Sequence, residues 1–361
     1  SGIVGQSQGP YLDGLRAWIR MVNDQGGLNG HRVNPLIVAD EGGDSARNRQ
    51  LAQQLIEQNH VLALVFDAAL DGSGTVSYVT QSGVPFIGGI GTGQYFYQSP
   101  VYFPQMPQGI AAAEITLGEL AEMKAQAKTK LATIVCVESP NICNAAASVA
   151  KKGAPRYGAQ VVYATTASIA APDYSAECLN ARNAGAQVIV IAMDGASAIR
   201  IQQSCARQGY HLIFATVSSA VNTDTAADDG FEGMIISAPT MPVAGNPPAL
   251  SEFRAAMARY APGVSVLDGQ VEAWAAGKVL QIGAAHLPDG DINVLRKALL
   301  SGLDAIPHDF DLGITAPLEY NPGKPATPVV CWFLETIHNH QFVPVNGGQR
   351  TCAPYDLGLV S

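Results

Sequence analysis

An α/β fold in two lobes, each a parallel sheet covered by helices, is what this chain predicts, and three observations carry the prediction. Short apolar, β-branched runs alternate with segments of helical periodicity nearly throughout. The alternation restarts at Leu131 and gives way to helices after Ser237. The 361 residues also exceed what one hydrophobic core usually serves.

Element by element, a helix over Pro10–Asp24 places Leu12, Leu15, Trp18, Ile19 and Val22 on one stripe. The turn Val22-Asn23-Asp24-Gln25-Gly26-Gly27-Leu28-Asn29-Gly30-His31-Arg32-Val33 leads to a strand over Leu36–Asp40. Asp44-Ser45-Ala46 opens a helix through Leu51, Leu55 and Ile56, and Val61–Phe66 is the next strand. A helix starts at Asp71-Gly72-Ser73, and a strand over Val84–Ile87 ends in Gly88-Gly89-Ile90-Gly91-Thr92-Gly93. A helix over Gln108–Lys124 turns Ile110, Leu117 and Leu120 inward.

The second series has strands at Leu131–Val137, Ala159–Ala164, Val188–Ala192, Leu212–Thr216 and Gly233–Ser237. Its helices are Asn141–Ala154, Tyr174–Ala184 and Ala196–Gln208. Helices at Ala249–Tyr260, Asp268–Ala285 and Ile292–Ser301 follow, then a strand pair at Thr327–Thr336 and Gln341–Val345. Segments rich in proline or glycine at Phe103–Pro107, Ala238–Val243 and Asn321–Ala326 suit crossings between lobes. The expected division is residues 1–105 plus 243–323 for the first lobe and 106–242 plus 324–361 for the second, which holds all six cysteines.

A hydrophobic content of 47% with 14% charged residues fits a folded globule and excludes extensive disorder. No apolar stretch approaches the roughly 18–20 residues of a membrane-spanning helix. The net charge of −9, without a Lys/Arg cluster, argues against a nucleic-acid or anionic-membrane partner. The six cysteines contain no CxxC pair, which weakens zinc and redox readings. Sequence alone does not select their pairing. The coarse fold suggests one: Cys136 ends a strand just before Cys143 opens a helix, Cys178 and Cys205 lie on successive helices, and Cys331 and Cys352 flank the last strand pair. Three disulfides imply an exported protein in its mature form; the other reading is six buried thiols in a cytosolic one.

From Val22 to Phe66, the order of helix end, glycine turn, strand, helix and strand resembles the opening of the type I periplasmic solute-binding proteins, in particular the branched-chain amino acid and aromatic-compound branch of ABC transporters. The resemblance covers essentially the whole chain and is most specific over residues 9–66. It implies two Rossmann-like lobes in a clamshell with three hinge crossings, closing on a small-molecule ligand. It also implies an ABC permease as partner, a monomer, no cofactor or metal, and no catalysis. The location would be extracytoplasmic, in the periplasm or at a cell surface, with any lipid anchor on a removed N-terminal segment. The family begins with a strand, and its following loop matches Ser1-Gly2-Ile3-Val4-Gly5, so the resemblance implies a strand upstream of Ser1.

Ligands of parallel α/β sheets bind beyond the carboxyl ends of the strands. In the first lobe this selects Ser7, Gln8, Asp67, Ala68, Ala69, Leu70, Gly91 and Thr92, with Tyr95 beside them. In the family, a serine or small residue and an Ala-Thr pair hold a ligand carboxylate. Thr92 matches the threonine and Gly91 the residue before it, while Ala68 or Ala69 stands where the serine would be. Tyr95, Phe96 and Tyr97 either roof an aromatic ligand or pack between helices. In the second lobe the strand ends offer Glu138, Ser139, Met193, Asp194 and Ser218. Family amino-acid binders place tyrosines and an ammonium-binding glutamate here. Asp194 replaces one aromatic, Ile142 a tyrosine, and Val217 or Ser218 the glutamate, so a zwitterion clamp is incomplete. Asp194 either restores it or caps the helix from Ala196. Asp268, Gln270 and Trp274 head the helix that faces the ligand in the family, and Trp274 also sits in register with core positions.

Enzymatic and nucleotide readings lack their motifs. Gly89–Gly93 has neither GxGxxG spacing nor a Walker lysine, and no GxSxG or HExxH occurs. His338-Asn339-His340 could present two metal ligands on one side of a hairpin turn, which is not a site. A ligand-sensing ectodomain or regulator with the same clamshell is the nearest alternative, and an α/β enzyme the next.

Overall fold

A 3₁₀ turn at Gly9–Tyr11 leads into α1, Leu12–Asp24, in a computed structural model that describes residues 9–42, 44–69, 72–90, 93–107, 113–138 and 140–354. Two compact units emerge: residues 1–108 with 246–329, and residues 109–245 with 330–361. The chain therefore passes between them three times.

In unit 1, the stripe read from the sequence buries Leu15, Trp18, Ile19 and Val22, with Leu12 half-buried. The turn after α1 needs glycine: Gly27 has φ +82°, and a Cβ there would collide with the His31 carbonyl. The expected strand over Leu36–Asp40 is a correction. No strand forms there, and Ile37 and Val38 are each 54% exposed. Among the described residues no backbone edge pairs with this segment, and a strand exists only through its partner.

Asp44 accepts the N–H groups of Ala46 and Arg47 at 2.8 and 2.9 Å and so caps α2, Ser45–Glu57. Strand β1 is Leu64–Asp67, followed by α3, Val76–Ser82, β2, Phe86–Gly89, and β3, Tyr102–Phe103. These form a parallel sheet in the order β1-β2-β3. Phe86, Tyr95, Phe96 and Tyr102 interlock over it with ring centroids 4.8–6.3 Å apart.

Unit 2 begins with α4, Ala113–Ala125, and β4, Lys130–Cys136. It continues through α5, Pro140–Gly153, β5, Gln160–Ala167, α6, Ser175–Asn183, β6, Val188–Ala192, and α7, Gly195–Ala206. Strand β7, Ile213–Val217, helix α8, Thr223–Ala227, and strand β8, Ile235–Ala238, complete this run. The apolar strands are buried on both faces, as a helix-covered parallel sheet requires.

The chain then returns to unit 1 as α9, Ser251–Tyr260, α10, Asp268–Gly283, and α11, Ile292–Asp304. Helix α10 is almost entirely buried and crosses α1 closely, with Gly277 against the Trp18 indole. Last come β9, Val330–His338, β10, Gln341–Pro344, and β11, Thr351–Ala353, in unit 2. Strand β9 runs antiparallel to β8, giving a mixed sheet ordered β10-β9-β8-β7-β6-β4-β5, with β11 also on β9.

Three disulfides join Cys136–Cys143, Cys178–Cys205 and Cys331–Cys352. The last does not flank a strand pair as expected. Its cysteines face each other in β9 and β11, because Thr351–Ala353 is itself a strand that the sequence reading left out.

Candidate functional site

The carboxyl ends of the strands form a separate rim in each unit. In unit 1, half-buried Asp67 ends β1. Its Oδ1 accepts the Ala69 N–H at 2.9 Å, and its Oδ2 accepts the Tyr95 hydroxyl at 2.9 Å. Burial pushes the Asp67 carboxyl up to about 6, against the lowering effect of these hydrogen bonds. Asp67 and Tyr95 thus tie the loop after β1 to the loop after β2, with Ala68 and Ala69 between. Ser7, Gln8, Leu70, Gly91 and Thr92 lie outside the described residues, as do Asp71 and Ile110.

Gln270 spends both ends of its carboxamide on backbone. Oε1 accepts the Leu267 N–H at 2.9 Å and Nε2 donates to the Ser265 carbonyl at 3.0 Å, which caps α10. Trp274 is 2% exposed and meets Phe253 edge-on at 5.6 Å, a packing position. The structure therefore brings Asp67, Ala68, Ala69 and Tyr95 together, and sets Gln270 and Trp274 into the body of unit 1. Gln105 and Glu272 escaped sequence reasoning. Buried Gln105 accepts the Gly89 N–H at 3.0 Å and donates to the Gly89 and Glu272 carbonyls at 2.8 and 3.2 Å, pinning the end of β2 to α10. Asp268 and Glu272, one helical turn apart, are both buried; burial, then the Asp268 charge, holds Glu272 well above the usual carboxylate range. A glutamine between prolines and two acids inside an apolar helix were the available signals.

In unit 2, neighbouring strands β4, β6 and β7 bring Glu138, Asp194 and Ser218 to one rim. Ser139 lies outside the described residues. Glu138 Oε1 accepts the Ser168 hydroxyl at 2.6 Å and the Ile169 N–H at 3.0 Å. Slight burial raises the Glu138 carboxyl, but these bonds outweigh it and hold the group below its ordinary value. Asp194 caps α7: Oδ1 accepts the N–H groups of Ala196 and Ser197 at 3.0 and 3.1 Å, and Oδ2 accepts the Ser197 hydroxyl at 2.6 Å. Met193 is buried behind it. Ser218 opens a 3₁₀ turn to Ala220, against which Gly195 packs so closely that a Cβ would fall 2.6 Å from the Ala220 carbonyl oxygen. The Ser218 hydroxyl is buried and finds no hydrogen-bond partner among the described residues. Arg200, not singled out from the sequence, donates to the Ile169 carbonyl at 2.6 Å and to the Ser197 hydroxyl at 2.9 Å, beside Asp194.

The His338-Asn339-His340 turn does not present a metal pair. His338 meets Glu232 at 2.6 Å and His340 meets Asp229 at 3.3 Å, so each ring has its own carboxylate. Among the described residues no group of three His, Cys, Asp or Glu side chains could hold a metal ion. A cavity of about 600 Å³ lies in unit 1, but alongside β1, between it and residues 33–40, not beyond the strand ends.

The model of the periplasmic binding protein family matches residues 1–337. The chain belongs to this family. Members are solute-binding and not enzymatic, so this periplasmic binding protein is not an enzyme. Comparison with curated proteins found no match. Solved structures share the fold. A substrate-binding protein of an ABC transporter from Aeropyrum pernix is 18% identical, with 100% of this chain and 95% of that one covered at a TM-score of 0.80. A solute-binding protein from R. palustris in complex with benzoate is 16% identical, with 98% and 95% covered at 0.75. A branched-chain amino acid ABC transporter protein from Thermus thermophilus with bound valine is 14% identical, with 96% and 93% covered at 0.78. An α/β fold with parallel sheets, matching the type I periplasmic binding proteins, is thus the fold of this periplasmic binding protein.

Proposed function

We propose that this chain is the extracytoplasmic solute-binding component of an ABC importer and captures a small carboxylate that lacks an ammonium group. The family match supports the solute-binding role, and the benzoate- and valine-bound relatives bracket the ligand class. The observation that carries the choice is the state of the unit 2 rim. Both Asp194 oxygens serve the α7 cap, Glu138 is engaged by Ser168 and Ile169, and the group left unpartnered is the neutral Ser218 hydroxyl. A buried hydroxyl without a partner is costly unless a ligand supplies one, and it donates well to a carboxylate. Among the described residues no rim carboxylate stands uncommitted to receive an ammonium.

At the unit 1 rim Ala68 is the small, half-buried residue, and buried Tyr95 holds the loop behind it through Asp67. Capture follows by hinge closure, which the ligand drives only by contacting both rims. The same clamshell in a sensing ectodomain is the second reading, favoured if no permease engages the liganded form. Titration calorimetry with benzoate and valine tests the ligand class. Benzoate binding, weakened about tenfold by Ser218→Ala, supports the proposal. Valine binding without benzoate binding, or indifference to Ser218→Ala, overturns it.

A further inference from the structure

At the opposite end of the unit 2 sheet, where the strands begin, lies a cavity of about 470 Å³. Lys128 stands just ahead of β4, Gln187 ahead of β6 and His211 ahead of β7, and these three strands are parallel neighbours. The five residues of β6 set the cavity roughly 16 Å from the rim of Asp194 and Ser218.

The polar side chains of its lining are donors. Gln187 Oε1 accepts the N–H groups of Thr129 and Lys130 at 2.8 and 3.2 Å, so the end left over is Nε2, a donor. The Tyr210 hydroxyl is spent on the Ala186 carbonyl at 2.5 Å. Lys128 adds an ammonium and His211 a ring N–H, and no carboxylate is among the described residues that line the cavity. Two more cations border it. Lys130 Nζ lies 3.9 Å from where a Cβ on Gly185 would stand. Burial raises the Tyr210 hydroxyl, and the nearby Arg182 charge opposes the rise. Helices α6 and α7 end on this side, where cations complement the last carbonyls, and Arg182 does so by donating to the Gln208 carbonyl at 3.1 Å. Lys128, Lys130 and His211 have no such duty: among the described residues their side chains make no hydrogen bond or ion pair. Glu122, the acid nearest to Lys128 along the chain, accepts the Gln126 amide at 3.0 Å. The fold thus gathers cations from residues 128, 130, 182 and 211, which form no cluster in the sequence.

We propose that this cavity is an oxyanion site that takes a phosphate group, separate from the ligand rim. A phosphate carries more charge and more acceptor oxygens than a carboxylate, which suits several cations around amide and imidazole donors.

The test titrates inorganic phosphate into the 361-residue chain at constant ionic strength, with chloride making up the balance, and follows binding calorimetrically. In parallel the chain is sedimented with vesicles of phosphatidylglycerol, and of phosphatidylcholine as the control without net charge. The expected result is saturable binding of one phosphate per chain, weakened about tenfold by the pair Lys128→Gln and Lys130→Gln. Sedimentation with phosphatidylglycerol alone, lost in the same double variant, would support the site with a lipid headgroup as the source of the phosphate. Binding of neither, or binding that the double variant leaves unchanged, would overturn the proposal.

Discussion

Glu119 on α4 is 2% exposed, and its Oε2 finds no hydrogen-bond partner among the described residues. Helix α4 covers β8 and β9, where the Ser237 hydroxyl and Trp332 indole N–H are also buried and unpartnered, both against the neighbouring Gly118. Burial raises the Glu119 carboxyl from its ordinary 4.5 to about 8. Below pH 4.5 the group is protonated in both folded and unfolded chains and costs nothing extra. As pH rises, the unfolded chain ionises first while the folded one keeps its proton, so stability falls until about pH 8 and is then level. The full loss is three and a half pH units at about 1.4 kcal/mol each, about 5 kcal/mol, of which about 3 kcal/mol has accrued at pH 7. Glu119→Gln keeps the shape and removes the ionisation. Scanning calorimetry of both proteins from pH 4.5 to 8.5 should show equal stability at the acid end. The variant should gain about 6–12 °C in the unit 2 transition at pH 7, at about 2–4 °C per kcal/mol for a unit of this size. A difference independent of pH, or a variant less stable at pH 8, would refute the assignment of a neutral carboxyl to Glu119.

Other expectations follow from unit 2. Replacing Cys178 and Cys205 together by alanine opens a loop spanning 27 residues and should cost about 3–4 kcal/mol, read from the shift of the unit 2 melting transition. A shift under 1 kcal/mol would mean that this link does not constrain the unfolded chain. Asp194→Ala should remove about 1 kcal/mol through loss of the α7 cap, while Asp194→Asn keeps the cap and the stability. Benzoate affinity should stay within about twofold in Asp194→Asn; a larger fall would make the charge itself part of the site.

Much of the fold was legible because each unit repeats a strong local pattern. Val188–Ala192 reads as a strand from its own composition, and the structure assigns the same five residues. The α2 start was written in Asp44, an aspartate placed where a helix N-cap is favoured. Leu36–Asp40 failed for the opposite reason: its residues suit a strand, but a strand depends on a partner backbone that local sequence does not contain. Thr351–Ala353 was too short to carry a period, and only the cysteine within it marked it. At the rims, spacing located strand ends but not what the side chains do there. Asp194 carried both a capping and a ligand reading, and the cap is now seen. Gln270 turned out to serve backbone, and Gln105, which ties β2 to α10, gave no periodic signal. The Gln105 role depends on a residue brought close from a distant part of the chain, its carboxamide donating to the Glu272 carbonyl across 167 positions.

Direct titration of the purified chain with benzoate and with valine, followed calorimetrically at pH 7, decides the central claim. The account predicts saturable binding of benzoate at one site per chain, weakened by Ser218→Ala, and no comparable heat from valine. Saturable binding of valine alone, or no binding of either while a peptide or protein binds, would contradict it.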